Sequence, residues 1–312
     1  MKNVIYPPAY SSPMPPTVIT HTDSDGILCL ATFLRGTGPD QPCRVFFSSP
    51  SRLFSSLASA IDEDDEKNEL LYVFDLAPTR EALIASLVFD RAVWVDHHTW
   101  DVGDFKHERV EVLNDPEAPS AAQLVAKHLN ITSGFEAIAQ EIDQGRIESK
   151  MAERLRDLVD AYKGKDDWEA VARSLQELAR RLAINGPEEV LKEEYNPLLE
   201  EYGAFATKVE ARALELVQTH RVGERRVAVV ESQEPLPVYL VVRSLFRHQD
   251  APFDVIVIIN RMPSMTRCEF RTQKDYDVLK LARWLGGGGH RRASGATLER
   301  KVRVEELLKI ID

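Results

Sequence analysis

Cysteine is scarce in this chain. Cys29, Cys43 and Cys268 are odd in number, scattered over 312 residues and without a C-x-x-C spacing. That argues against a disulfide framework or a thiolate zinc site and leaves the three as small core residues. Long apolar runs are missing as well. No stretch approaches the ~18 consecutive apolar residues of a membrane span, and the opening MKNVIYPPAYSSPMPP lacks the apolar core of a signal peptide. The expectation is a soluble, cytoplasmic protein with no membrane partner. Positive charge is in deficit: 39 Lys and Arg stand against 50 Asp and Glu, a net charge of −11. Such a balance argues against coating long nucleic acid with a basic face, although arginines can still cluster locally, as in RTQKDYDVLKLARWLGGGGHRR. The glycines at 286–289 do not lead into Gly-Lys-Ser/Thr, so a phosphate loop of the Walker type is excluded.

What is present has the composition of a packed globular chain, 44% hydrophobic and long enough for two domains. After the proline-rich lead, strand-like TVIT, CRVFFS, ELLYVFDL and RAVWVDHH alternate with helix-like ILCLATFL, SRLFSSLASAI and TREALIASLV. This βαβ rhythm predicts an α/β fold with a mostly parallel sheet and helices on both faces, binding ligands beyond the carboxyl ends of its strands. From residue 148 to 221 the chain turns rich in Glu, Leu, Ala, Arg and Lys, broken at YKGKDD and INGPEE into three helices, and reads as a helical connector with solvated faces. From 222 to 312 strand signals return in RRVAVVES, FDVIVIIN and MTRCEFRT, interleaved with helical LPVYLVVRSLF and DVLKLARWLG. The expected division is 1–147, 148–221 and 222–312, the last a smaller α/β domain.

Chemistry-bearing residues gather at predicted strand ends. His21, Asp23 and Asp25 in HTDSDG follow the first strand, Asp75 ends LLYVF, and Asp96, His97 and His98 end AVWV. An Asp-rich turn before a helix is commonly a cap. Three strands delivering acids or imidazoles to one sheet edge is a different matter. Mixed carboxylate and imidazole donors suit Mn²⁺, Mg²⁺, Fe²⁺ or Zn²⁺. Two ions are the economical assignment: a pair about 3.5–4 Å apart lowers the pKa of a shared water and clamps the attacking and leaving oxygens of a phosphoryl displacement. One aspartate must then bridge them, and Asp75, standing alone between two richer motifs, is the choice. Asp143, after the helical FEAIAQEI, reads in isolation as a solvated helix-end acid. His107, His128, His220 and His248 lack partner spacing and read as surface or locally bonded residues, and Trp284 as a core residue of its helix.

In order and spacing these motifs resemble the DHH phosphoesterase family, in the branch with a DHH-associated C-terminal domain that includes RecJ-like exonucleases and NrnA-like oligoribonucleases. HTDSDG resembles the first family motif, Asp75 the second, VDHH the third, Asp143 the fourth and GGGGHRRASG the C-terminal signature. The fourth departs from the family's Asp-Thr-Gly, reading Asp143-Gln144-Gly145. The resemblance implies a parallel-sheet DHH domain with one ion on His21, Asp23 and Asp75 and another on Asp25, Asp75, His97 and Asp143, Mn²⁺ in preference to Mg²⁺. It makes His98 the residue that contacts the phosphate or transfers a proton, with Asp96 orienting a neighbouring imidazole. It assigns Arg271, Gly288, Gly289, His290 and Arg291 to substrate binding, and it suggests a homodimer. The implied activity is a metal-dependent phosphodiesterase, an exonuclease releasing mononucleotides from short or single-stranded RNA or DNA. The alternatives are a small-nucleotide phosphatase or hydrolase, for 3′-phosphoadenosine 5′-phosphate or a cyclic dinucleotide, and a non-catalytic DHH-like replication component.

Overall fold

The protein is described from a computed structural model covering residues 15–62, 70–247 and 253–311. His248 lies outside the described residues. Two compact units meet in the sequence between Leu199 and Glu200. The first runs β1 (Thr17–His21), α1 (Ser24–Thr37), β2 (Arg44–Ser48), α2 (Leu53–Asp62), β3 (Leu70–Phe74), α3 (Arg80–Ala85), β4 (Arg91–Asp96), β5 (Val110–Asn114), α4 (Ala121–Leu129), α5 (Glu136–Asp143), α6 (Lys150–Lys163) and α7 (Trp168–Asn185), and α8 (Asn196–Leu216) crosses into the second.

The first unit is built on a parallel sheet of order β2-β1-β3-β4-β5. Strand alternation sorts its apolar residues onto two faces. Val18, Tyr72, Phe74, Val93 and Val95 pack with α1, α4, α5, α6 and α7, whereas Ile19, Leu71, Val73, Ala92 and Trp94 pack with α2 and α3. Both faces are therefore covered, as the near-continuous apolar strands LLYVF and AVWV require. Between β1 and β3 the strand order reverses direction, which opens a crevice at their carboxyl ends. β5 was not among the expected strands. Its partly exposed VEVLN carries Glu111 at the sheet edge and lacks the apolar run of its neighbours.

Three helices do form across 148–221, but they are not a separate connector. Ala152, Leu155, Leu158 and Val159 of α6, and Val171, Leu175, Leu178 and Leu182 of α7, recur at helical spacing and are buried in the same core as α1. An amphipathic stripe of that width needs a partner, and the open face of the sheet's helix layer provides one. Only the opposite faces of α6 and α7 are solvated. The expected boundaries at 147/148 and 221/222 thus give way to the single division at 199/200.

The second unit continues with β6 (Val217–Val222), β7 (Arg225–Ser232), α9 (Val238–Arg247), β8 (Val255–Arg261), β9 (Thr266–Arg271), α10 (Leu279–Trp284), β10 (Gly288–Gly289), β11 (Ala293–Leu298) and α11 (Val304–Ile311). Its sheet runs β10-β11-β9-β8-β7-β6 and is mixed, β7 and β8 being parallel and the other pairs antiparallel. β6 replaces the last turn of the expected connector through its antiparallel pairing with β7, from Val217 opposite Val230 to Val222 opposite Arg225. Among the described residues no helix is long and apolar enough to cross a membrane.

Leu175 is fully buried in α7. If α7 belongs to the core of the first unit, Leu175→Ala should lower unfolding free energy by about 2–5 kcal/mol in urea titrations, against under about 0.5 kcal/mol for a solvated connector helix.

Candidate functional site

The crevice at the strand ends is shaped by local chain geometry. Asp23 is the N-cap of α1, its Oδ1 accepting the Gly26 N–H at 3.0 Å, so the cap reading of HTDSDG is correct. The same carboxylate also faces the site, with Oδ2 2.9 Å from His21 Nδ1. Gly26 makes both roles compatible: a Cβ there would lie 2.3 Å from the His21 carbonyl oxygen, so only glycine lets the first turn of α1 sit against the end of β1. Asp75 follows β3 with φ 57°, a left-handed conformation that a short polar side chain tolerates, while its N–H donates to the Val95 carbonyl.

Asp75 stands at the centre. Its Oδ2 lies 3.3 Å from His21 Nδ1 and its Oδ1 3.6 Å from His97 Nε2, so each carboxylate oxygen faces a different imidazole. His97 Nε2 is also 3.8 Å from Asp25 Oδ2 and 3.7 Å from Asp143 Oδ2. The donor atoms of His21, Asp23 and Asp75 form one compact group able to hold a metal ion, and those of Asp25, Asp75 and His97 form another. Asp143, at the C-terminal end of α5, joins the second through its approach to His97. Asp25 has a further duty that sequence alone did not suggest: it accepts the Ala121 N–H at 2.6 Å and the Ala122 N–H at 3.2 Å, anchoring the first turn of α4.

The imidazoles are held in definite orientations. His97 Nδ1 is 3.3 Å from the Ala118 carbonyl, which fixes Nδ1 as the donor and turns Nε2 toward the acids. Asp96 accepts from His98 Nδ1 at 2.6 Å and from Trp100 Nε1 at 2.6 Å, so the imidazole that it orients is His98. Asn114, at the end of β5, donates to the carbonyls of Asp96 and His98 and fixes the loop between them. Trp100 and Asn114 escaped sequence reading because neither residue type announces a site.

Burial and mutual repulsion dominate the electrostatics. Burial raises Asp75 well above the ordinary carboxylate range, and the charges of Asp23, Asp25, Asp96 and Asp143 raise it further. Burial, with the charge of Asp143, pushes Asp25 up to about 7, and burial with the charge of Asp23 pushes Asp143 up to about 7. Burial works against ionised Asp23 and Asp96, but His21 and His98 respectively outweigh it and bring both below the usual range. For His98 burial disfavours the charge, yet the hydrogen bond and charge of Asp96 prevail and raise it. Acids that resist ionisation because they are buried and crowd one another are suited to divalent cations, and the oriented Nε2 of His97 completes the donor set.

In the second unit, β10 and β11 form a hairpin closed at His290 and Ala293, with Gly288 opposite Gly295 and Gly289 opposite Ser294. The glycine run is not uniform. A Cβ at Gly287 would lie 2.1 Å from the Gly295 carbonyl oxygen, so packing alone demands glycine there. Gly288 is exposed, and a Cβ on it would meet nothing, so the fold itself makes no such demand. Arg271 Nη1 donates to the carbonyls of Phe270 and Ser294 and to Glu269, whereas Arg291 pairs with exposed Asp275. Trp284 is not the core residue expected. It is 57% exposed, because Leu281 and Ala282 already fill the buried side of the short α10. His107 and His128 are locally engaged, the first accepting from the Arg109 N–H and the second beside Glu111.

No protein-family model and no curated protein match the chain. Solved structures do. The fold is similar to a pGpG-specific phosphodiesterase from Vibrio cholerae, with TM-score 0.58 and 15% identity over 95% of this chain and 96% of that one. It is similar to the DHH domain of a member of the S1p family of ribosomal proteins, with TM-score 0.57 and 16% identity over 95% and 85%. RecJ from Thermus thermophilus, in complex with Mn²⁺, gives TM-score 0.56 and 16% identity over 95% of this chain and 50% of RecJ. The two-unit α/β architecture is that of DHH-domain proteins.

The raised acids make stability pH-dependent. Asp25 and Asp143 titrate near 7 in the fold and near 4 when unfolded, so between those values the folded protein binds protons the unfolded chain has released. Stability without metal should therefore fall as pH rises from about 4 to about 7. Thermal melts in EDTA should show this decline, and excess Mn²⁺ should reverse it at the upper end.

Proposed function

On the premise of that DHH-type fold, we propose that the protein is a metal-dependent phosphodiesterase acting on short oligonucleotides. The observation that carries the reading is Asp75, whose two oxygens face two separate groups of donors. His21, Asp23 and Asp75 would hold one divalent ion, and Asp25, Asp75, His97 and Asp143 the other. Bound ions of this kind neutralise a phosphodiester and acidify water. Mn²⁺ is the proposed ion, the metal of the RecJ structure above.

The chain's own residues supply the rest. Asp96 holds the His98 ring through Nδ1 and favours its protonated form, leaving its Nε2 edge to donate to a phosphate oxygen or to the departing oxygen. Asp25 ties the loop before α4 to the site, so the second donor group is braced by a helix terminus. In the second unit, the absent side chain of Gly288 allows a phosphate to approach the backbone, and Arg271 provides charge-assisted hydrogen bonds. Exposed Trp284, one residue before Leu285 and the glycines, offers a flat surface on which a base can stack.

A short substrate fits better than a long one. The net charge of −11 disfavours engagement of an extended polyanion. The similarity to the pGpG-specific phosphodiesterase extends over nearly the whole of both chains, whereas it spans half of RecJ. End-labelled RNA and DNA strands, from dinucleotides to twenty-mers, test this directly. With Mn²⁺ the protein should release mononucleotides, fastest from the shortest strands, and Asp75→Ala should lower kcat/KM by about 10³-fold or more while circular dichroism stays unchanged. No cleavage at any length with metal bound would overturn the reading and favour a small nucleotide.

A further inference from the structure

One buried carboxylate lies where an anion-binding surface should not want it. On β9, Arg267, Glu269 and Arg271 alternate onto one face of the sheet, while Cys268 and Phe270 point into the core. Directly paired residues of antiparallel strands share a face, so Glu269 shares its face with Gly295 of β11 and, through it, with Gly288 of β10. Glu269 is only 5% exposed, and it is engaged on both sides. Its Oε1 accepts from Arg267 Nε at 2.6 Å and its Oε2 from Arg271 Nη1 at 3.1 Å. Room for it depends on Gly295, where a Cβ would lie 2.7 Å from Glu269 Oε2.

From this arrangement we infer that Glu269 is a positioning residue for nucleotide binding: it draws two guanidinium groups together beside the open face of Gly288. The inference rests on the proposed nucleotide reading and deepens it. Arg271 is fixed by three acceptors, namely Glu269, the Phe270 carbonyl and the Ser294 carbonyl, so its guanidinium plane is oriented before any ligand arrives. Arg267 is tied at Nε, and its side chain is 56% exposed. Paired guanidinium groups suit a ligand bearing more than one phosphate group, such as a 5′-phosphorylated dinucleotide, better than a nucleoside monophosphate.

The sign of the effect separates this role from its rival. A bystander carboxylate beside a polyanion only repels it, so Glu269→Gln would tighten binding. A positioning carboxylate does the opposite. Anisotropy of a fluorescent 5′-phosphorylated dinucleotide on the full chain, in EDTA so that cleavage is excluded, should show about tenfold weaker binding for Glu269→Gln. In an Arg267→Ala/Arg271→Ala background the same substitution should add less than about twofold, because its effect passes through those two arginines. If Glu269→Gln fails to fold, Gly295→Ala serves instead, displacing the carboxylate without removing its charge, and it should likewise weaken binding. Tighter or unchanged binding, or full additivity with the Arg267→Ala/Arg271→Ala pair, overturns the assignment while the nucleotide reading stands. A wild-type protein that binds no oligonucleotide, with or without Mn²⁺, overturns both.

Discussion

Asp23, Asp25, Asp75, Asp96 and Asp143 converge on one crevice, and much of the first unit can be understood from the need to hold them there. Left to themselves, such groups would protonate or push apart, and Asp75, Asp25 and Asp143 are indeed raised by burial and by one another. The protein restrains them with neutral and cationic donors: the first turn of α4 for Asp25, the first turn of α1 for Asp23, and His98 with Trp100 for Asp96. Asp75 instead faces His21 and His97, in a left-handed backbone conformation. Strain and charge are concentrated at the residue with the largest proposed role, as is common at functional sites.

The sheet makes this convergence possible. Parallel strands that reverse order between β1 and β3 bring His21 and Asp75 to neighbouring ends, and β4 adds Asp96, His97 and His98. Helix packing then closes the arrangement: α5 contributes Asp143, and α6 and α7 cover the core beneath. The core of the first unit and the site therefore share the same elements.

Much of this was legible in the amino-acid sequence because alternation of apolar strands with helices, and acids at strand ends, are local signals. β1 to β4, α1 to α3 and the acids and histidines near the strand ends follow from such patterns, whereas Asp143, at a helix end, entered only through the family resemblance. Other features were not local. β5 has little hydrophobic signal because it is an edge strand, and β6 and β11 become strands through their antiparallel partners. The placement of α6 and α7 in the core depends on a surface that residues 148–199 do not themselves contain. Asp25 as an anchor of α4, Trp100 and Asn114 as supports, and Glu269 between two arginines all depend on contacts between residues distant in sequence or on burial. Trp284 was misjudged because an aromatic residue in a short apolar helix looks buried until the helix is found to be only six residues long.

The central claim is that Asp75 lies between two divalent ions. Electron paramagnetic resonance of the protein titrated with Mn²⁺ tests it most directly. The account predicts binding of two ions per chain, with the spectrum changing from isolated Mn²⁺ to an exchange-coupled pair as the second site fills, since ions sharing a carboxylate lie about 3.5–4 Å apart. A single ion per chain, or two that remain magnetically independent at saturation, would contradict it.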